Sequence, residues 1–176
     1  MNMRKMQRIT MIFAMLAIFT ISSLQARAET EFAEGQIAIN AGITYGFDIE
    51  EPGIRLGATY FLNENMRVGG DLTYWLIGDE TFIGTTFSFT YLEINGNFNY
   101  LFYNQDDLVL YGIGSLGIHY ASVSVGGDSE SDTELGLGLG AGVEYNIGAL
   151  SIFAEPKLFL SGFDQAKFNL GVRFYL

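Results

Sequence analysis

Beyond residue 28 the chain sorts its apolar and polar side chains with a period of two, and it does so eight times. In Gln36–Phe47, Ile37, Ile39, Ala41, Ile43, Tyr45 and Phe47 form one series, while Gln36, Ala38, Asn40, Gly42, Thr44 and Gly46 form the other. Alternation over this length predicts a β-strand with two chemically different faces. The same pattern predicts strands at Gly53–Phe61, Met66–Leu76, Phe87–Phe102, Leu108–Val125, Leu135–Tyr145, Leu150–Leu160 and Ala166–Leu176. Alternation is clearest in Leu135–Tyr145, where large apolar residues and Ala141 interleave with four glycines and Glu144. Leu108–Val125 changes phase near Ser115–Leu116, which predicts a bulge there. No segment after residue 28 sustains a helical period.

The connections alternate too. Leu62–Asn65, Tyr103–Asp107 and Asn146–Ala149 are short and carry the Asn and Asp of tight turns. Asp48–Pro52, Ile77–Thr86, Gly126–Glu134 and Ser161–Gln165 are on the whole longer. Short turns at one end and longer loops at the other are the habit of membrane barrels, whose strands cross in about ten residues.

Period two does not say which face meets solvent, and the charged residues decide it. All five basic residues beyond residue 28, Arg55, Arg67, Lys157, Lys167 and Arg173, fall in the polar series. Asp71, Glu93, Glu144 and Glu155 fall there as well. A water-soluble barrel would show charge on its outer wall, yet this polar face is mostly Gly, Ser, Thr and Asn. The apolar face is too bulky for the interior of eight strands, which is just wide enough for side chains. Turning the apolar face toward lipid removes both difficulties, because Arg or Lys on a lipid face costs about 2–4 kcal/mol near the midplane. The expectation is an all-β, eight-stranded antiparallel up-and-down transmembrane β-barrel. Tyr45, Phe47, Tyr60, Tyr74, Trp75, Tyr100, Phe102, Tyr103, Tyr145, Phe174 and Tyr175 lie near strand ends and are expected in interfacial girdles.

The first 28 residues change the compartment. Arg4, Lys5 and Arg8 precede a short apolar stretch, Met11–Ile21, and Ala26-Arg27-Ala28 closes the segment. This is the make-up of a secretory signal peptide, too short in its apolar part to span a bilayer. Residues 1–28 are expected to be cleaved, leaving Glu29–Leu176 as one domain. That chain holds five basic and 20 acidic residues, a net charge of −15. So acidic a chain lacks the basic footprint of nucleic-acid binding. With no cysteine it has neither disulfides nor a thiol nucleophile.

Three stretches, YLEINGNFNYLF (Tyr91–Phe102), LYGIGSLGIHY (Leu110–Tyr120) and LGLGAGVEYNI (Leu137–Ile147), resemble the small outer-membrane β-barrel family. That family includes opacity-type proteins and the eight-stranded outer-membrane proteins A and X, and the resemblance covers nearly all of Glu29–Leu176. The terminal NLGVRFYL resembles the strand read by the barrel-assembly machinery, though Leu176 stands where such strands usually end in Phe. The resemblance implies the bacterial outer membrane, contact with outer-membrane lipid and lipopolysaccharide, and a monomer. It is poor in function, since one fold hosts many roles.

Three groups of residues are candidate sites. Arg55, Arg67, Asp71, Glu93, Glu144, Glu155, Lys157 and Arg173 are expected to form a charge network in the lumen. Their near balance of sign favours a salt-bridged plug over an ion path or a catalytic pair. Asp128, Glu130, Asp132 and Glu134, expected in an outer loop, have oxygen ligands for divalent cations but not the spacing of an EF-hand. His119, the one histidine, is expected at the outer rim of its strand; a lipid A-modifying enzyme would need it beside a serine and a carboxylate. The function expected is a structural or surface-interaction barrel with a narrow plugged lumen and acidic outer loops. A small low-conductance pore is the alternative and an enzyme using His119 a lesser one. No catalytic residue, resident metal or cofactor is expected.

Overall fold

The computed structural model describes residues 32–82, 85–126, 128–160 and 165–176. The expected signal peptide, and most of the connection Ser161–Gln165, lie outside the described residues. Among these residues nine strands occur in chain order: β1 (Ile37–Gly46), β2 (Pro52–Asn63), β3 (Met66–Trp75), β4 (Glu80–Phe82), β5 (Thr85–Gln105), β6 (Leu108–Val125), β7 (Asp128–Ile147), β8 (Leu150–Phe159) and β9 (Gln165–Tyr175). Eight of them are staves. Each pairs antiparallel with the next, β3 pairs with β5, and β1 pairs with β9, so the sheet closes on itself. Strand β4 only adds a short ribbon to β5. Closure leaves no barrel edge, which is how a sheet in lipid satisfies its backbone.

The sorted faces land as the charges required. Ile39, Ile43, Leu56, Ile94, Leu116, Leu137, Leu139 and Leu158 stand on the exposed outer wall. Asn40, Arg55, Asp71, Glu93, Glu144, Glu155 and Arg173 are buried inside. Register repeats this from strand to strand: Ile43 opposes both Ile54 and Leu170, and Gly42 opposes Arg55 and Gly171.

The structure corrects the sequence at four places. Strand β6 keeps a single phase, with Val109, Tyr111, Ile113, Ser115, Gly117 and His119 all buried inside. Its change of phase is a change of chemistry, because apolar side chains seal one end of the lumen where polar ones fill the rest. The register shift in the β5–β6 pairing belongs to β5, between Leu101 and Tyr103. The second correction is the expected loop Gly126–Glu134, most of which is strand. Strand β7 begins at Asp128 and pairs with β6 without a break from Val125↔Asp128 to Leu108↔Tyr145. Third, two aromatics leave the girdle. Trp75 is 1% exposed inside the barrel and Tyr175 directs its hydroxyl to lumen residues, whereas Tyr45, Tyr60, Tyr74, Tyr100 and Phe174 are exposed. Fourth, His119 stands at the outer end of its strand as expected, but its side chain is fully buried inside the lumen instead of lying free at the rim.

Three strands outrun the others. The β3–β5 pairing ends at Tyr74↔Leu92 and the β7–β8 pairing at Gly138↔Phe159. The β5–β6 ladder continues to Phe87↔Val125, and β6–β7 to the turn at Gly126. A ribbon of β5, β6 and β7, edged by β4 near its tip, therefore projects from the end opposite Phe32 and Leu176.

Candidate functional site

The lumen is layered along its axis. At the end holding Phe32 and Leu176 sits an apolar seal of Phe32, Phe61, Leu101, Val109, Tyr111 and Ile113. Phe32 precedes β1 and stacks on Phe61 with ring centroids 4.6 Å apart; Tyr175 lies 5.5 Å from it. The chain can turn into the barrel there because Gly35 has a φ of 84° and its N–H donates to Phe61 O at 2.9 Å. Sequence patterning missed Phe32, since it lies in no alternating segment.

Above the seal runs a continuous polar lattice. Arg67 Nη1 donates to Glu144 Oε2 at 3.0 Å, and Arg173 Nη1 reaches the same oxygen. Ser151 Oγ donates to Glu144 Oε1 at 2.5 Å, and the Tyr175 hydroxyl donates to it as well. Arg173 Nη2 lies 3.6 Å from Glu155 Oε1, which links the next layer. Arg55 then bridges Glu155 Oε2 at 2.7 Å and Asp71 Oδ2 at 3.0 Å. Lys157 Nζ stands 3.8 Å from Asp71 and donates to Asn97 Oδ1 at 2.8 Å. Asn95 Nδ2 joins Asp71 at 2.9 Å to Glu93 at 3.5 Å. Glu93 accepts from Lys167 and, at 2.9 Å, from Trp75 Nε1.

The eight residues singled out from sequence thus share one lattice, which also takes in Lys167. Aromatic rings separate the layers. The guanidinium of Arg67 sits 4.2 Å from the Tyr111 ring centroid, that of Arg173 4.9 Å from Phe153, and Lys167 Nζ 4.8 Å from Phe159. The Tyr111 hydroxyl donates to Glu155 Oε1 at 2.9 Å. Removing ions from water is costly unless each finds partners of opposite sign and further hydrogen bonds, and here side chains from every stave supply them. A cavity of about 10 Å³ lies between Asn40, Arg55, Asn97, Glu155 and Lys157, room for a single water.

His119 closes the series toward the ribbon. Its Nδ1 is 3.0 Å from the Tyr91 hydroxyl and 3.7 Å from Glu93 Oε1, and Phe159 meets its ring edge-on at 4.7 Å. Ser122 belongs to the opposite face of β6, so strand alternation keeps the two apart. Asp128, Glu130, Asp132 and Glu134 fall at alternate positions of β7 and share one face of the ribbon. Among the described residues no three His, Asp or Glu side chains converge as a metal site requires.

Known proteins agree with this architecture. Residues 11–174 match the family described as outer membrane protein beta-barrel domain. No match was found among curated proteins. Among solved structures, the N-terminal β-barrel domain of Pseudomonas aeruginosa OprF superposes with a TM-score of 0.67 at 14% identity, covering 82% of this chain and 100% of that one. Ail, the attachment invasion locus protein of Yersinia pestis, gives 0.59 at 23% identity, covering 81% and 99%. Neisserial surface protein A gives 0.53 at 22% identity, covering 79% and 94%. At such identities these likenesses carry the fold, and the family match carries membership. The apolar outer wall and charged interior are what that family needs in its bilayer, and this chain belongs to the outer membrane protein β-barrel domain family.

Proposed function

We propose that the protein is a plugged outer-membrane barrel with a structural or surface-interaction role, its ribbon and loops facing outward. The observation that carries this is the unbroken lattice from Arg67 to Lys167, closed below by the apolar seal at Phe32. Passage of a solute would have to break several buried ion pairs at once, each strongly unfavourable to leave half-made. Burial of His119 against Phe159, with Ser122 on the other face, weighs against the enzyme.

On this reading residues 1–28 are the cleaved signal, the β9 strand engages the barrel-assembly machinery, and the mature chain stands as a monomer among outer-membrane lipid and lipopolysaccharide. Asp128, Glu130, Asp132 and Glu134 meet solvent, where divalent cations shared with lipid phosphates would relieve their charge. Yersinia pestis Ail is known in complex with the heparin analogue sucrose octasulfate. This chain is unsuited to such a polyanion, because all of Arg55, Arg67, Lys157, Lys167 and Arg173 are buried.

Planar-bilayer recording of refolded Glu29–Leu176 tests the plug. Protein whose insertion is verified by a heat-modifiable gel shift is expected to leave the bilayer electrically silent. Regular conductance steps from the unmodified protein would establish the pore instead.

A further inference from the structure

The projecting ribbon, like the barrel, sorts its chemistry by face. The β6–β7 register is unbroken, and β5–β6 shifts only at the far end of the barrel, so the parity of the lipid wall carries into the ribbon. Continuing upward from the exposed Ile94, Leu116, Ile118, Leu135 and Leu137, the outer face of the ribbon reads Leu92, Thr90 and Ser88 on β5. It reads Tyr120, Ser122 and Ser124 on β6, and Thr133, Ser131 and Ser129 on β7. Pairing aligns these into rows: Leu92–Tyr120–Thr133, then Thr90–Ser122–Ser131, then Ser88–Ser124–Ser129. The inner face of the same ribbon holds Phe87, Phe89, Val123 and Val125 with every acid from Asp128 to Glu134.

The outer face is therefore an uncharged grid of hydroxyls. Columns stand about 4.8 Å apart and rows about 7 Å apart. Hydroxyls carry both donor and acceptor capacity, so a fixed grid of them suits a ligand that is itself a chain of hydroxyls. Position selects the occupant. Tyr120 lies in the row that also holds Tyr74 at its other edge, and exposed tyrosines at a strand level mark the lipid–water boundary. The hydroxyl rows start one step above that boundary and continue the lipid-facing wall without a change of direction. A lipid lying against Leu116 and Leu137 thus presents its own headgroup to Ser122 and Ser131.

We infer that the hydroxyl face of the β5–β7 ribbon is a lateral docking surface for the sugar hydroxyls of the lipopolysaccharide core in the same leaflet, with Tyr120 as its lower, ring-stacking border. The contact is a direct one between hydroxyls. Phosphate bridged by cations would call on the acids, and these lie on the opposite face. This inference rests on the outward orientation of the ribbon proposed above.

The test uses refolded Glu29–Leu176 in nanodiscs of three kinds: phospholipid alone, phospholipid with lipid A, and phospholipid with lipopolysaccharide carrying its core. The readout is the thermal midpoint of the heat-modifiable gel shift. The protein is expected to gain about 2 °C or more on going from lipid A to core-bearing lipopolysaccharide. The combined variant Ser122→Ala, Ser124→Ala, Ser129→Ala and Ser131→Ala is expected to match it in phospholipid and to lose that gain. A variant that keeps the gain, or an unmodified protein that shows none, overturns the inference. So does loss of the gain in Glu130→Gln/Asp132→Asn instead, which would assign the contact to cation-bridged phosphate. Accessibility of a cysteine introduced at Gly126 in intact cells checks orientation by itself: an inaccessible Gly126→Cys would fault the proposed function, whereas an accessible one with no core-dependent gain faults only the docking surface.

Discussion

Glu144 is the side chain on which most of the lower lumen converges. Its carboxylate accepts from Arg67, Arg173, Ser151 and Tyr175, and it is wholly buried. We predict that Glu144→Gln destabilises the folded barrel by about 3–5 kcal/mol, because two guanidiniums lose the charge they share. Urea unfolding in lipid vesicles measures this, and a loss under about 1 kcal/mol would mean that solvent already screens the pair. Glycine gives a second contrast. A Cβ at Gly142 would overlap the Tyr111 ring, whereas at Gly114 it would meet open space on the lipid wall. Gly142→Ala is expected to cost about 1–3 kcal/mol, while Gly114→Ala stays near neutral; equal effects would contradict the packing. Parity alone was enough to place each charge inside. It could not pair them, since Arg55 and Glu155 are 100 residues apart and meet only across the closed lumen. Parity also held the answer for Trp75, which shares the phase of Asp71 and Thr73; proximity to a strand end was the weaker guide.

Among the elements, β7 shows both the reach and the limit of pattern reading. From Leu135 onward its alternation is apolar against glycine and legible at once. From Asp128 to Glu134 it alternates acids with hydroxyls, all of them polar and the acids poor strand formers, so hydrophobicity sees a loop. The strand exists because β6 supplies an unbroken partner ladder, a tertiary cause that the local sequence lacks. The same strand then measures where the bilayer lies. Leu139 and Ser131 share the outward parity, one at the middle of the lipid wall and one in the ribbon. Leu139→Arg is expected to cost about 2–4 kcal/mol of folding stability. Ser131→Arg should change it by no more than about 0.5 kcal/mol, as surface substitutions do. Equal penalties in vesicle refolding titrations would place the ribbon inside the membrane and refute its projection.

For the whole molecule the distribution of charge has a consequence for assembly. Every Lys and Arg of the described residues is internal, paired with Asp71, Glu93, Glu144 or Glu155, so the charged side chains that these residues show outside are carboxylates. The unfolded chain Glu29–Leu176 carries five basic against 20 acidic residues, so it too is strongly anionic before the barrel closes. An anionic vesicle surface therefore repels both the chain that must insert and the ends that must stay outside, over a distance set by the Debye length. We predict that refolding, followed by the gel shift over time, is slower into vesicles containing phosphatidylglycerol than into zwitterionic vesicles of equal chain length. Raising salt to about 1 M, where screening acts within about 3 Å, should bring the two rates together. A rate indifferent to lipid charge would mean that hydrophobic insertion alone limits assembly and that net charge is silent in it. A faster rate in anionic vesicles would mean that the five cations meet the membrane before their lumen partners do, reversing the order in which lattice and barrel form.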